Sequence, residues 1–208
     1  MQIELQHIGK RYVRDWIFKD LSCILASGSN TTLIGSNGSG KSTLLKIISG
    51  YLTPTEGLIV WRQNHIPLNV NDIHMHIAMC APYQSPFLEF TLRENFTFYA
   101  SFKNMHQNMQ PQEFAAAIEL SSAIDKPLQA FSSGMLQRVK LGLALLSDVP
   151  IILLDEPTSH LDKKAQTWYS DLLMQTSQVK TVIIATNEPE KDAPIISNAI
   201  NIRDFQTQ

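Results

Sequence analysis

Cysteine is scarce in this chain: Cys23 and Cys80 are the only two among 208 residues. Both lie in apolar stretches without metal-ligand spacing, which excludes a disulfide scaffold and a cysteine-held metal. They are expected to be reduced core residues of a cytosolic protein. An excess of one charge is also missing. With 17 Lys+Arg against 19 Asp+Glu the net charge is −2, and no basic cluster supplies the footprint that a nucleic acid would need. Long hydrophobic runs are lacking too. Ile151–Leu154 is one of the longest, whereas a bilayer span needs about twenty apolar residues. If the protein serves a membrane process, another chain must do the spanning. Met1-Gln-Ile-Glu4 has no signal-peptide character. At 44% hydrophobic and 17% charged residues the composition excludes disorder, and the length suits one or two domains with a full core.

What is present begins with Gly35-Ser36-Asn37-Gly38-Ser39-Gly40-Lys41-Ser42-Thr43. It follows the apolar run Thr32–Ile34 and opens a helical pattern through Leu44, Leu45, Ile47 and Ile48. That strand–loop–helix context is what a phosphate-binding loop requires. Gly35, Gly38 and Gly40 allow a tight curl that turns N–H groups inward, and the positive end of the following helix adds to the field. Lys41 supplies a point charge for the β- and γ-phosphates, and the Ser42 hydroxyl can ligate Mg²⁺. The expected ligand is a nucleoside triphosphate.

The remaining pattern alternates strands and helices around a helical interruption. Ile3, Leu5 and Ile8 suggest a first strand and Trp16–Leu25 a second, joined near Tyr12. Ser27–Asn30 is a turn, the helix from Lys41 ends near Gly50, and Leu58–Trp61 and Ile77–Cys80 read as strands. His65–His76 reads as polar and irregular, and His74-Met75-His76 as an exposed connector rather than a metal cluster. Thr91-Leu92-Arg93-Glu94 is a capping box that opens a helix, Pro111 suits the first turn of a second, and a third follows Ser132. Most of Phe87, Phe90, Phe96, Phe98, Tyr99 and Phe102 are expected in the core. Ile151–Leu154 is a parallel-sheet run, Lys163–Met174 an amphipathic helix and Thr181–Ala185 the last core strand. The result is an α/β core with an inserted helical subdomain.

Ile151-Ile152-Leu153-Leu154-Asp155-Glu156 places two acids where a buried strand exits. Next to a bound triphosphate, Asp155 can hold Mg²⁺ and Glu156 can orient or deprotonate the attacking water.

With these residues placed, the chain resembles the ATP-binding-cassette (ABC) ATPases over almost its whole length. The resemblance implies a P-loop NTPase core with an antiparallel β-subdomain and an inserted helical subdomain. Residues 1–83 and 149–208 would form the core with its β-subdomain, and residues 84–148 the helical part. It also implies roles. Tyr12 would stack on adenine, and Gln84 would reach Mg²⁺ and couple the core to the helical subdomain. Phe131-Ser132-Ser133-Gly134-Met135 occupies the signature position, where Ser132 and Gly134 would meet a partner's γ-phosphate. Pro157–Asp162 looks like the dimer-contact loop, and Asn187 stands where a switch histidine usually contacts the γ-phosphate. Phe87, Leu88 and Phe90 fall where transporter ATPases receive their membrane partner.

Two departures from the family pattern bear on rate. Ser133 and Met135 replace a glycine and a glutamine, and Asn187 is shorter than histidine and cannot carry its charge. Slow hydrolysis is expected, although Lys41 and Glu156 argue against a dead site. The resemblance implies an ATPase using ATP and Mg²⁺, paired head to tail with a second ABC subunit as homodimer or heterodimer. It would lie at the inner face of the cell membrane, cytoplasmic and peripheral, held there by a separate transmembrane permease, with no nucleic acid partner. The direction expected is export. The other readings are a soluble cassette protein and a nucleotide-gated binding module with little turnover.

Overall fold

The computed structural model describes residues 1–195 and 198–206. The chain opens on a hairpin, β1 (Gln2–Tyr12) and β2 (Asp15–Leu25), then enters β3 (Asn30–Ile34), the glycine loop and α1 (Lys41–Ile48). There follow β4 (Glu56–Gln63), the two-residue β5 (Ile66–Pro67), α2 (Ile73–His76) and β6 (Ile77–Cys80). A helical stretch comes next, with α3 (Leu92–Ala100), α4 (Pro111–Ala117) and α5 (Ser133–Leu145). The chain closes with β7 (Ile151–Asp155), α6 (Lys163–Ser177), β8 (Thr181–Thr186), α7 (Pro189–Asp192) and β9 (Asn198–Asn201).

Two sheets result. The antiparallel one has the order β2-β1-β4-β5, and the parallel one β6-β7-β8-β3-β9. Successive residues of a strand face opposite sides, so an unbroken apolar run serves two cores at once. In β7, Ile151 and Leu153 pack with Leu44, Leu45, Ile47 and Ile48 of α1 and with Ile3 and Leu5 of the first hairpin. Ile152 and Leu154 face the other way, toward Leu141 and Leu145 of α5 and Tyr169 and Leu173 of α6. Helix α1 thus lies between the two sheets. A third cluster belongs to the helices between β6 and β7, where Leu92, Phe96, Phe114, Ile118, Val139 and Leu143 meet, with the Phe96 and Phe114 ring centroids 4.8 Å apart.

Helix starts follow their capping chemistry. Thr91 accepts from the Glu94 N–H while the Glu94 carboxylate accepts from the Thr91 N–H, and the side chains of Ser132 and Asp162 cap α5 and α6 by accepting from the N–H groups of Met135 and Ala165. The close approach of α5 to α4 depends on Gly142, where an added Cβ would fall 2.3 Å from Ile118 Cγ2 and 3.1 Å from Phe114 Cε2. Gly142→Ala is therefore expected to cost about 1–3 kcal/mol through overpacking, despite alanine's better helix propensity. A urea-unfolding midpoint equal to or above that of the parent would contradict this packing.

Three sequence expectations need correction. Residues 65–76 are not irregular throughout: Ile66–Pro67 form β5 and Ile73, fully buried in the core, opens α2, while Ile66, Val70 and Met75 stay exposed, so no burial period shows in the sequence. Thr181–Thr186 is not the last strand of the sheet, because β9 pairs in parallel with β3. Its sequence, Asn198-Ala199-Ile200-Asn201, carries the polar composition of an edge strand and gives no hydrophobic signal. Among the clustered aromatics, Phe96 is buried but Phe98 and Phe102 are 43% and 62% exposed and so are not core, while Phe87 and Phe90, set apart from the core expectation by their place in the chain, are 49% and 39% exposed.

Candidate nucleotide site

The parallel sheet brings the chemistry to one edge. β7, β8 and β3 are consecutive neighbours, with Asp155 opposite Ala185 and Ile34 opposite Thr186. Adjacent strands lie about 4.8 Å apart. The residues that follow each strand's end are Glu156, Asn187 and Gly35, so the two acids, the asparagine and the glycine loop emerge side by side. In open α/β sheets this carboxyl edge is where ligands bind.

The loop itself is tightly turned. Gly40 has φ of 103°, a left-handed conformation that side chains resist, and a Cβ there would meet Ile17 at 2.5 Å and Phe18 at 3.0 Å on β2. Gly40 is also the N-cap of α1 and supplies no side-chain cap. The first N–H groups of the eight-residue helix are left for an anion. Ser36, Asn37 and Gly38 are exposed, Ser39 is buried, and Ser42 and Thr43 are half-buried.

Lys41 is only 5% exposed. Its Nζ donates to the carbonyls of Gly35 at 2.8 Å and Ser36 at 3.1 Å, which folds the ammonium back over the loop. Burial lowers its pKa, while the charges of Glu156 and Asp155 act to raise it. Asp155 shows the mirror image: burial pushes its carboxyl up, opposed by the Ser42 hydroxyl, with Glu156 pushing further up and Lys41 and Lys46 pulling down. Asp155 Oδ2 is buried and, among the described residues, has no hydrogen-bond partner. A buried carboxylate oxygen left unpaired is costly, and a divalent cation satisfies it. The donor set of Ser42 and Asp155, hard oxygens beside an anion-binding loop, therefore fits Mg²⁺ with a triphosphate.

Glu156 takes φ of 47° and donates its N–H to the Ala185 carbonyl at 2.9 Å, which locks the turn out of β7 onto β8. Asn187 is exposed, and its Nδ2 donates to Asn37 Oδ1 at 3.2 Å. The Asn187 side chain thus reaches the glycine loop. The Asn37 end of this link had no signal in the sequence.

Other candidate residues lie elsewhere. Tyr12 ends β1, 48% exposed, with Lys10 Nζ 5.2 Å from its ring centroid. Gln84 is exposed after β6 and lines a cleft of about 360 Å³ with Lys46, Met79, Tyr83 and Tyr99; among the described residues it has no hydrogen bond to Ser42 or Asp155. Ser132 accepts from the Met135 N–H at 3.2 Å. With Gly134, Met135, Arg138 and His160 it lines a different cavity of about 440 Å³ that includes no residue of the phosphate loop. Gly134 lies so close to the loop after β7 that a Cβ would be 3.0 Å from the His160 carbonyl. Gln137, which the sequence reading passed over, is buried and donates to the Pro157 carbonyl at 2.8 Å, tying α5 to that same loop.

Comparisons with known proteins agree with this geometry. The ABC transporter family model matches residues 18–159, more than half of the chain. A mouse protein described as ATP-binding cassette sub-family A member 17 is 29% identical over 192 residues, covering 89% of this chain and 11% of that protein. The Nod factor export ATP-binding protein I of Sinorhizobium fredii is 29% identical over 193 residues, 91% of this chain and 56% of that one. The chain therefore spans only part of these relatives. Among solved structures, a dimeric bacterial ABC transporter cassette superposes with a TM-score of 0.83 at 25% identity, over 96% of this chain and 94% of that one. An ABC transporter ATP-binding protein from Pyrococcus furiosus superposes with a TM-score of 0.82 at 22% identity and covers both chains fully. No helix among the described residues is long and apolar enough to cross a membrane. The chain belongs to the ABC transporter family, and its fold is that of the family's nucleotide-binding domain.

Proposed function

We propose that this chain is the ATP-hydrolysing subunit of an exporter, driving a separate membrane subunit by closing as a dimer over ATP. The observation that carries the reading is the common sheet edge on which Lys41, Asp155, Glu156 and Asn187 emerge around one glycine loop. ABC ATPase domains bind ATP, generally with Mg²⁺. Here residues 35–43 would cradle the phosphates and Lys41 would turn from the Gly35 and Ser36 carbonyls toward them. Tyr12 would stack on adenine. Ser42 and Asp155 would hold Mg²⁺, joined by Gln84 when the helical unit closes on the nucleotide. The ion would neutralise charge on the phosphate oxygens. Glu156 takes the proton of the attacking water, and Asn187 donates toward the charge that builds on the γ-phosphate.

Ser132 and Gly134, whose cavity is apart from the phosphate loop of their own chain, would complete the site of a second subunit, identical or not. Export is favoured by the Sinorhizobium relative, a Nod factor export ATP-binding protein. The exposed, mutually touching rings of Phe87, Phe90, Phe98 and Phe102 offer the face on which a membrane subunit would dock, at the inner side of the membrane.

Asn187 tests the assignment of the reaction. Loss of one hydrogen-bond donor is worth about 0.5–1.5 kcal/mol, so Asn187→Ala should lower kcat roughly two- to tenfold. Asn187→His should raise it roughly fivefold or more, with little change in ATP affinity, because the added charge acts on the transition state. Phosphate release under saturating Mg·ATP measures both. If neither substitution changes turnover, residue 187 does not act at the γ-phosphate. A second reading, a nucleotide-gated binding module with slow turnover, is favoured by the asparagine itself, and a parent chain with stoichiometric ATP binding but no measurable phosphate release would establish it.

A further inference from the structure

Asp192 is a carboxylate 4% exposed on α7, away from the residues discussed so far. Among the described residues no lysine, arginine or histidine pairs with it. Its oxygens are instead divided between two segments. Oδ1 accepts from both the backbone N–H of Thr158, at 3.1 Å, and the Thr158 hydroxyl. Oδ2 accepts from the Thr186 hydroxyl. The Thr186 oxygen in turn accepts from the Glu188 N–H at 2.8 Å, and the Asp192 carbonyl accepts from the buried Tyr169 hydroxyl at 2.7 Å.

The placement of those partners matters. Thr158 lies two residues after Glu156 and two before His160, whose carbonyl abuts Gly134. Thr186 immediately precedes Asn187, whose amide reaches Asn37. One buried carboxylate therefore holds the loop that leaves the Glu156 side of the site and the strand end that presents Asn187. Both carboxyl oxygens act as acceptors here, so truncation to alanine leaves the donors of both segments unpaired, whereas an asparagine would set a donor against only one of them.

We propose that Asp192 is a positioning residue that locks the loop of Thr158 to the segment of Thr186 and Asn187, so that the two sides of the site keep a fixed spacing. Its importance for turnover rests on the functional reading above; the lock itself does not. The test is hydrogen–deuterium exchange on the full chain without nucleotide, for the parent, Asp192→Ala and Thr186→Val. Asp192→Ala should speed exchange at least about tenfold in both 158–161 and 186–188, leaving α1 unchanged. Thr186→Val, which nearly preserves volume and removes one donor, should speed 186–188 alone. In steady-state assays Asp192→Ala should lower kcat at least about tenfold while the dissociation constant for ATP changes less than twofold. Its loss should not add fully to that of Asn187→Ala, since both act through one segment. Unchanged exchange in both segments overturns the proposal. So does a uniform rise across the chain, which would make Asp192 a general contributor to stability. A parent chain without ATP turnover would count against the functional reading, while the exchange pattern would still decide the lock.

Discussion

Lys41→Ala is expected to weaken ATP binding at least a hundredfold. The ammonium sits almost out of solvent, and among the described residues it donates to two backbone carbonyls. It lies in the field of Asp155 and Glu156, which help keep it charged against burial. A triphosphate entering the loop brings several negative charges toward those same acids, and without Lys41 the loop loses the one cation folded onto it, leaving backbone N–H groups, the helix terminus, the more distant Lys46 and the metal ion to oppose the repulsion. One charge pair at 4 Å is worth about 4 kcal/mol at an effective dielectric of 20, and about 2.7 kcal/mol already corresponds to a hundredfold in affinity. Calorimetric titration with Mg·ATP measures the loss. A matching urea midpoint would show that the fold is retained. Unaltered affinity would mean that ATP binds somewhere else.

Glu156→Gln should separate binding from chemistry. The turn that carries residue 156 is held by its own N–H on the Ala185 carbonyl, so the substitution leaves the backbone frame in place. An amide can still orient water but cannot accept its proton, and general-base catalysis contributes roughly 10²–10⁴-fold. Turnover should fall by about that factor while ATP affinity stays within about threefold of the parent. Equal rates in the two proteins would remove Glu156 from the reaction and leave Asp155, with its unpaired buried oxygen, as the acid to test next.

The parts of this protein legible in the sequence are those fixed by local rules. The glycine spacing of residues 35–40, the capping box at Thr91 and Glu94 and the N-cap at Ser132 each announce their own structure. The apolar run 151–154 announces a strand buried on both faces, and the structure has β7 there with all five residues buried. Features that depend on distant partners were not legible. Ile73 is core only because the segment around it folds back against Gly50 and its neighbours. β9 exists because β3 offers it an open edge. The exposed ladder of Phe87, Phe90, Phe98 and Phe102 has the same composition as a core, and only its position on the surface tells the two apart. In the site, Lys41, Asp155 and Glu156 could be named from their motifs. The Asn187–Asn37 hydrogen bond and the Asp192 carboxylate between Thr158 and Thr186 join residues far apart in the chain or outside any motif.

The most direct test of the whole account is the mass of the Glu156→Gln variant in solution, read by light scattering during gel filtration with and without Mg·ATP. The chain alone is 23.4 kDa. On the proposed reading the site on the edge of β7, β8 and β3 would hold ATP but lacks the Ser132 and Gly134 groups, which line a separate cavity of the same chain. Slow hydrolysis should therefore trap ATP between two copies. The account predicts a doubling of mass that needs both Mg²⁺ and ATP and disappears when Lys41→Ala is added. A variant that binds ATP stoichiometrically yet keeps the mass of a single chain would contradict the closing of two identical copies over ATP.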